Sequence, residues 1–263
     1  MKIHFYKYQA TGNDFVIIDN RVSRLVFTKS QIEQICDRKF GVGADGLMLI
    51  ERHPSLNFKL EYFNSDGSQS LCGNGSRAAV HFAATLGIVN GKSTFEAFDG
   101  PHDAQLNGEI VSIKMNNVRE VKSIGDDFFI NTGSPHYIRF VQDLKNYPVF
   151  EEGRKIRNSE TFKPGGTNVN FLEILPNNVL FVRTYERGVE DETLSCGTGV
   201  TAAALAASLK GLTSPISIKA LGGDLSIEFK KPKSSGDNGH SVMFEDIFLV
   251  GPAKMVFEGH LEL

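Results

Sequence analysis

The chain of 263 residues is short of cysteine, of net charge and of long apolar runs, and each shortage excludes a class of protein. Three cysteines are too few, and odd in number, for the disulfide framework of a secreted domain. A formal net charge of -3 makes no electrostatic case for nucleic acid, and no run of Lys and Arg marks a membrane surface. No segment reaches the roughly 18 apolar residues that a membrane span needs. The opening stretch "MKIHFYKYQATGND" has an early lysine but no apolar core and no cleavage site, so it does not read as a signal peptide. With 41% hydrophobic and 22% charged residues, the composition is that of an ordinary globular protein. The expectation is a cytoplasmic protein with reduced thiols, no nucleic-acid or membrane partner, and one large or two modest domains.

What the sequence has is a repeat. "LCGNGSRAAVHFAATLG" from Leu71 returns in altered form as "SCGTGVTAAALAASLKG" from Ser195, and two of the three cysteines sit in it. Cys72 and Cys196 lie 124 residues apart, and "TGNDFVIID" from Thr11 has a counterpart 121 residues on in "TGSPHYIRF". Two landmarks at nearly one offset imply two halves of one architecture. The alanine-rich runs after Gly75 and Gly199 are the best helix candidates, and "KSQIEQICDRKF" has helical spacing with Ile32, Ile35 and Cys36 on one face. "IHFYKYQ", "FVIID", "LMLIE" and "FKLEYF" read as strands, as do "ISIKAL", "LSIEFK" and "SVMFEDIFLV" near the end. "KPKSSGDNGH", Lys231 to His240, reads as an exposed hairpin tip. The boundary between halves falls near "NNVREVKSIGDD", giving domains over 1–116 and 117–247, with 248–263 returning to the first. Ligand sites favour such domain interfaces.

"GVGADG", Gly41 to Gly46, matches the spacing of a dinucleotide fingerprint. That motif works only between a preceding strand and a following helix. Here the order is reversed, so the glycines read instead as a tight connection or a backbone wall of a site.

Each Cys-Gly-x-Gly turn enters a helix. A cysteine there meets unpaired backbone N–H groups and the positive end of the helix dipole, which stabilise thiolate. The flanking glycines let backbone donors approach an anion. Any one such cysteine is more often a small buried hydrophobe, but two at matching positions of a repeat weaken that reading. Two equivalent thiols suit inversion of a stereocentre, with a base on one face and an acid on the other. No Cys or His sits at ligand spacing beside either thiol, which argues against a metal. Cys36 lacks this context and reads as a core residue.

The segments "ATGNDFVIID", "FGVGADGL", "YFNSDGS", "CGNGSRAA", "NTGSPH", "TNVNF" and "YERGVEDETLSCGTG" together resemble the diaminopimelate epimerase family, from Lys2 to "GPAKMVFEGHLEL". The resemblance implies an α/β (α+β mixed-sheet) fold of two pseudo-symmetric domains, each a curved mixed β-sheet around a central helix. It implies interconversion of LL- and meso-2,6-diaminopimelate, for lysine and peptidoglycan precursors, without pyridoxal phosphate or metal. By the same resemblance Cys72 and Cys196 are the acid/base pair, and His136 and Glu186 support catalysis. Asn13, Asn64, Gly73 and Asn74 would contact substrate from one half, with Asn168, Glu186, Arg187, Gly197 and Thr198 from the other. A homodimer is implied, with Phe257 at a position linked to its contact. Two positions depart from many relatives, with Ser134 in place of Asn and Gly46 in place of Gln. The connection "VEDET" is also longer and more acidic than usual. A proline or hydroxyproline racemase-like enzyme shares the fold and the cysteine logic, but "YERG" and the asparagines favour an open-chain diamino diacid. A binding or redox-switched module, in which the cysteines only form a disulfide, is the alternative outside enzymes.

Overall fold

The computed structural model describes residues 2–231 and 244–263, so the expected hairpin tip lies, past Lys231, outside the described residues. The chain divides into two compact units, Met1–Ile113 with Gly251–Leu263, and Lys114–Val250.

In the first unit the strands are β1 (Lys2–Ala10), β2 (Asn13–Asp19), β3 (Gly46–Glu51), β4 (Phe58–Asn64), β5 (Lys92–Ala97), β6 (Gly100–Asn107) and β7 (Ile110–Lys114). Helix α1 (Lys29–Cys36) links β2 to β3, and helix α2 (Gly73–Thr85) links β4 to β5. The second unit holds β8 (Val121–Ile124), β9 (Asp127–Asn131), β10 (Pro135–Phe140), β11 (Asn168–Leu175), β12 (Val179–Glu186), β13 (Asp191–Thr193), β14 (Ile216–Ala220), β15 (Gly223–Lys230) and β16 (Glu245–Pro252). Its helices α3 (Val149–Arg157) and α4 (Gly197–Leu209) link β10 to β11 and β12 to β14. Strand β17 (Lys254–Glu262) then pairs antiparallel with β1 in the first unit.

The ladders repeat as the sequence does. Running β17-β1-β2-β3-β4-β5-β6-β7, the pairings are antiparallel except at β2/β3 and β4/β5. Running β8-β9-β10-β11-β12-β14-β15-β16, they are antiparallel except at β10/β11 and β12/β14. A parallel joint needs a crossover, and a helix makes each of the four.

Helix α2 touches β1, β2, β3, β4, β6 and β17, while α4 touches β9, β10, β11, β12, β14 and β15. A sheet that meets one helix along so many strands must curl around it. Such a helix has no solvent side, so it cannot be amphipathic. In α4 every residue from Gly197 to Ala207 is buried, and alanine lets the strands close in from all directions. Helix α1 is different, with Ile32, Ile35 and Cys36 packed on Val16, Ile18, Leu47 and Leu49. Alternation along β2 sends Phe15 and Ile17 to the other face, the side of α2. The helical spacing of "KSQIEQICDRKF" continues to Phe40, yet α1 ends at Cys36. Asp37 stops it, because its Oδ1 accepts the N–H groups of Lys39 and Phe40, both at 2.7 Å.

Candidate active site

Both repeat cysteines are helix N-caps with extended backbone, Cys72 at φ -123, ψ 108 and Cys196 at φ -116, ψ 111. Each therefore faces the first, unpaired N–H groups of an enclosed helix. All three cysteines are reduced thiols. Burial pushes the Cys36 thiol up to about 11, which keeps it unreactive.

In the first unit the Cys72 Sγ accepts the Gly75 N–H at 3.3 Å and donates to Asn13 Oδ1 at 3.5 Å. Asn74 Nδ2 donates to the same Oδ1 at 3.4 Å, so Asn13, Cys72 and Asn74 form one cluster beside Gly73. Asn64 closes β4 and spends its amide on its own loop, donating to Ser68 and Ser70. Gly46 opens β3 with no room for a side chain, since a Cβ there would stand 2.5 Å from the Tyr62 ring and 2.6 Å from the Phe63 carbonyl oxygen. The Tyr62 ring thus accounts for the glycine at this position.

The second unit surrounds Cys196, 7% exposed, with a chain of hydrogen bonds. Thr184 Oγ1 donates to Asn170 Oδ1 at 2.9 Å, which leaves Asn170 Nδ2 as donor to His136 Nδ1 at 3.1 Å. His136 Nδ1 is then the acceptor, so the ring proton sits on Nε2 and is given to Thr198 Oγ1 at 2.9 Å. The threonine hydroxyl, its oxygen occupied, keeps its own proton for Cys196 Sγ at 3.5 Å. A donor aimed at sulfur favours thiolate. Ser134 Oγ reaches both Thr198 Oγ1 and Asn168 Nδ2 at 3.5 Å.

Asn168 adds a second anchor. Its Nδ2 donates to the Pro135 carbonyl at 3.0 Å and its Oδ1 accepts the Arg187 N–H at 2.9 Å. The Arg187 guanidinium donates to the Gly165 carbonyl at 3.3 Å, and Thr193 donates to Glu186 Oε2 at 2.8 Å. The acidic connection holds this turn as well. Glu190 N–H bonds the Glu186 carbonyl, and the Glu190 carboxylate takes the Gly188 N–H and the Arg157 guanidinium.

His136 is completely buried, and that burial, helped by the charge of Arg187, holds its ring down at about 3. An ordinary histidine titrates near 6.5, so the folded unit refuses a proton that the unfolded chain accepts. Stability carried by the neutral ring is complete above about 6.5 and is lost as pH falls from there towards 3. Urea unfolding monitored between pH 7 and 5 is expected to show a falling midpoint, and His136→Asn is expected to flatten that dependence. An equal slope in the variant would contradict the assignment.

Of the sequence-derived residues, Asn13, Cys72, Gly73 and Asn74 gather in the first unit. His136, Asn168, Glu186, Arg187, Cys196, Gly197 and Thr198 gather in the second. Asn170 and Thr184 were missed. The signal was strand alternation in "TNVNF", which puts Asn168 and Asn170 on one face. Among the described residues, no cluster of three His, Cys, Asp or Glu could hold a metal ion. Nor, among them, is any helix long and apolar enough to cross a membrane.

The family model described as "Diaminopimelate epimerase" matches residues 5–121 and 128–246. The chain belongs to the diaminopimelate epimerase family. Among diaminopimelate epimerases, that of Flavobacterium psychrophilum is 48% identical, with 96% of this chain and 98% of that one covered. That of Aquifex aeolicus is 41% identical, with 98% of each covered. Solved structures show the fold beyond the family at 14% identity. A PhzF-family phenazine biosynthesis protein of Bacillus anthracis matches over 100% of both chains with a TM-score of 0.76. A hydroxyproline epimerase of Agrobacterium vitis matches over 100% of this chain and 93% of its own with 0.71. The fold is thus the mixed α/β architecture of diaminopimelate epimerases.

Proposed function

We propose that the chain interconverts LL- and meso-2,6-diaminopimelate by two-base proton transfer, with no cofactor and no metal. The observation that carries this reading is the pair of thiols at matching helix N-caps of two matching units. One thiol, as thiolate, removes the α-proton, and the other, as thiol, delivers a proton to the opposite face. Atoms and charge balance, because the pair ends with its protonation states exchanged. The Thr198 hydroxyl supports a thiolate at Cys196, and His136 acts through it as a neutral positioning group.

The substrate carries two carboxylates and two ammonium groups. Arg187 suits one carboxylate, and the side chains of Asn13, Asn64, Asn74, Asn168 and Glu186 suit the remaining polar ends. The backbone N–H groups at Gly73, Gly197 and Thr198 suit the α-carboxylate, whose negative charge grows as the proton leaves. Reduced thiols suit the cytoplasm, where lysine and peptidoglycan precursors are made. The decisive experiment supplies LL-diaminopimelate without added cofactor and follows the appearance of the meso form. No conversion by folded, reduced protein would refute the reading.

The reading includes a homodimer. Strand β17 exposes Met255, Val256 and Phe257, three adjacent large apolar side chains. An exposed apolar stretch on a strand of the sheet is suited to a second copy. Phe257→Asp is expected to convert a dimer to a monomer in sedimentation or light scattering at micromolar concentration. An unchanged mass would place any dimer contact elsewhere.

A further inference from the structure

The loop between α1 and β3 is not a nucleotide motif, but it carries a carboxylate that reaches the Cys72 cluster. The geometry points to Asp45 as a positioning residue, fixing the Asn13 amide so that its carbonyl oxygen faces Cys72 and holds the thiol proton there. This rests on Cys72 being one of the two acid/base thiols.

The two ends of an asparagine amide are told apart by their partners. A carboxylate only accepts, and Asp45 Oδ2 lies 2.5 Å from one end of the Asn13 amide, so that end is the amino group. The carbonyl end is left with Cys72 Sγ and Asn74 Nδ2. Turned over, the amide would set its carbonyl against the carboxylate and its amino group against that of Asn74. Both contacts would be repulsive.

Asp45 is itself held on every side. Its Oδ1 takes Arg38 Nη2 at 2.7 Å and its Oδ2 also takes the Asp14 N–H at 3.2 Å. Arg38 bonds both oxygens of Asp14, which pairs at 2.6 Å with the buried Lys7. Burial alone would raise the Asp14 carboxyl, but the hydrogen bonds of Arg38 and Lys7 bring it down to about 2, so Asp14 stays charged at neutral pH. The loop backbone is fixed as well, with Asp45 N–H on the Asp14 carbonyl and Ser65 N–H on that of Asp45. Gly41 lets the loop lie against α1, since a Cβ there would stand 1.9 Å from the Gln34 carbonyl oxygen.

The consequence falls on the thiol. Three of its neighbours favour thiolate: the Gly75 N–H, the helix start and the buried guanidinium of Arg77. The remaining buried charged or titratable side chains on the strands around α2 are occupied or uncharged. Lys7 of β1 is neutralised by Asp14 of β2, Tyr8 of β1 meets His81, and His102 of β6 pairs with Asp99. Tyr62 of β4 is a phenol against Phe15. Groups that favour thiolate suit a base, whereas an acid needs its proton held. The Asn13 carbonyl supplies the opposing pull, and Asp45 keeps it aimed.

The test reads the thiol directly. In a Cys196→Ala background, where Cys36 is silent below its high pKa, thiolate absorbance and the pH profile of alkylation report Cys72. Asp45→Asn is expected to lower the Cys72 midpoint and make alkylation several-fold faster below it. In a Cys196→Ala, Asn13→Ala background the same substitution is expected to change nothing. A shift of equal size without Asn13 would show a through-space charge effect and overturn the positioning role, as would no shift with Asn13 present. Arg38→Met, which loosens Asp45 without removing it, is expected to shift the midpoint in the same direction by less, and serves if Asp45→Asn does not fold. With Cys196 restored, Asp45→Asn is expected to lower kcat by roughly 10-fold to 100-fold. Epimerase activity in the unmodified protein reads the proposed function separately, so failure of one is not mistaken for failure of the other.

Discussion

Cys72→Ala and Cys196→Ala are each expected to cut kcat/KM for epimerisation by roughly 10²- to 10⁴-fold, the usual worth of a general acid or base. The two losses are not expected to multiply in the double variant, because each thiol is useless without the other. Folding should survive. Each change removes one sulfur from an N-cap whose backbone carbonyl still accepts the first helical bond, from Ser76 N–H in one unit and Val200 N–H in the other. Cys36→Ala, in the core beside Ile32 and Ile35, is expected to leave the rate nearly unchanged. Circular dichroism alongside a stereochemical assay checks all three. Near-normal turnover in either single active-site variant would end the two-thiol mechanism.

The second large effect is isotopic. With LL-diaminopimelate in D₂O, early meso product is expected to be almost fully deuterated at the inverted centre, while recovered substrate carries almost none. The structure gives the reason in the separate surroundings of the two sulfurs. Cys72 gives its proton to Asn13 Oδ1 and accepts the Gly75 N–H, whereas Cys196 accepts the Thr198 hydroxyl. The proton taken by one is therefore not the proton given by the other. Equal early labelling of both pools would mean a single base. A binding or redox module would label neither. The same logic predicts a bell-shaped pH profile of kcat/KM, since the free enzyme must hold one thiolate and one thiol together.

Much of this site could be read from the sequence because it is local. A cysteine three residues ahead of glycine, followed by alanines, states its own helix start, and both α2 and α4 begin one residue after the cysteine. The repeat was legible for the same reason, and the paired ladders carry it into the strand order. What escaped depends on register between distant segments. Nothing in "TNVNF" or "RTYERG" says that Asn170 will lie opposite Thr184. Nor does either say that the parallel joint of β10 and β11 will bring His136 within reach of that asparagine. Asp45 was hidden differently. Its loop was read for its glycines, and the carboxylate matters only because Asn13 and Asp14, more than thirty residues off in sequence, converge on it.

Strand β17 gives the fold an order in time. Its residues Lys254–Glu262 complete the ladder that begins at Lys2, yet they are synthesised after the whole of the second unit. During translation β1 therefore leaves the ribosome with one edge unpaired and keeps it so until β17 follows. Over that interval the second unit can close on its own residues while the first cannot. An open strand edge on a nascent chain is the feature most prone to pairing with a neighbouring copy. The exposed polar positions of β1, Lys2 and His4, lie on that waiting strand and discourage such pairing until the proper strand arrives.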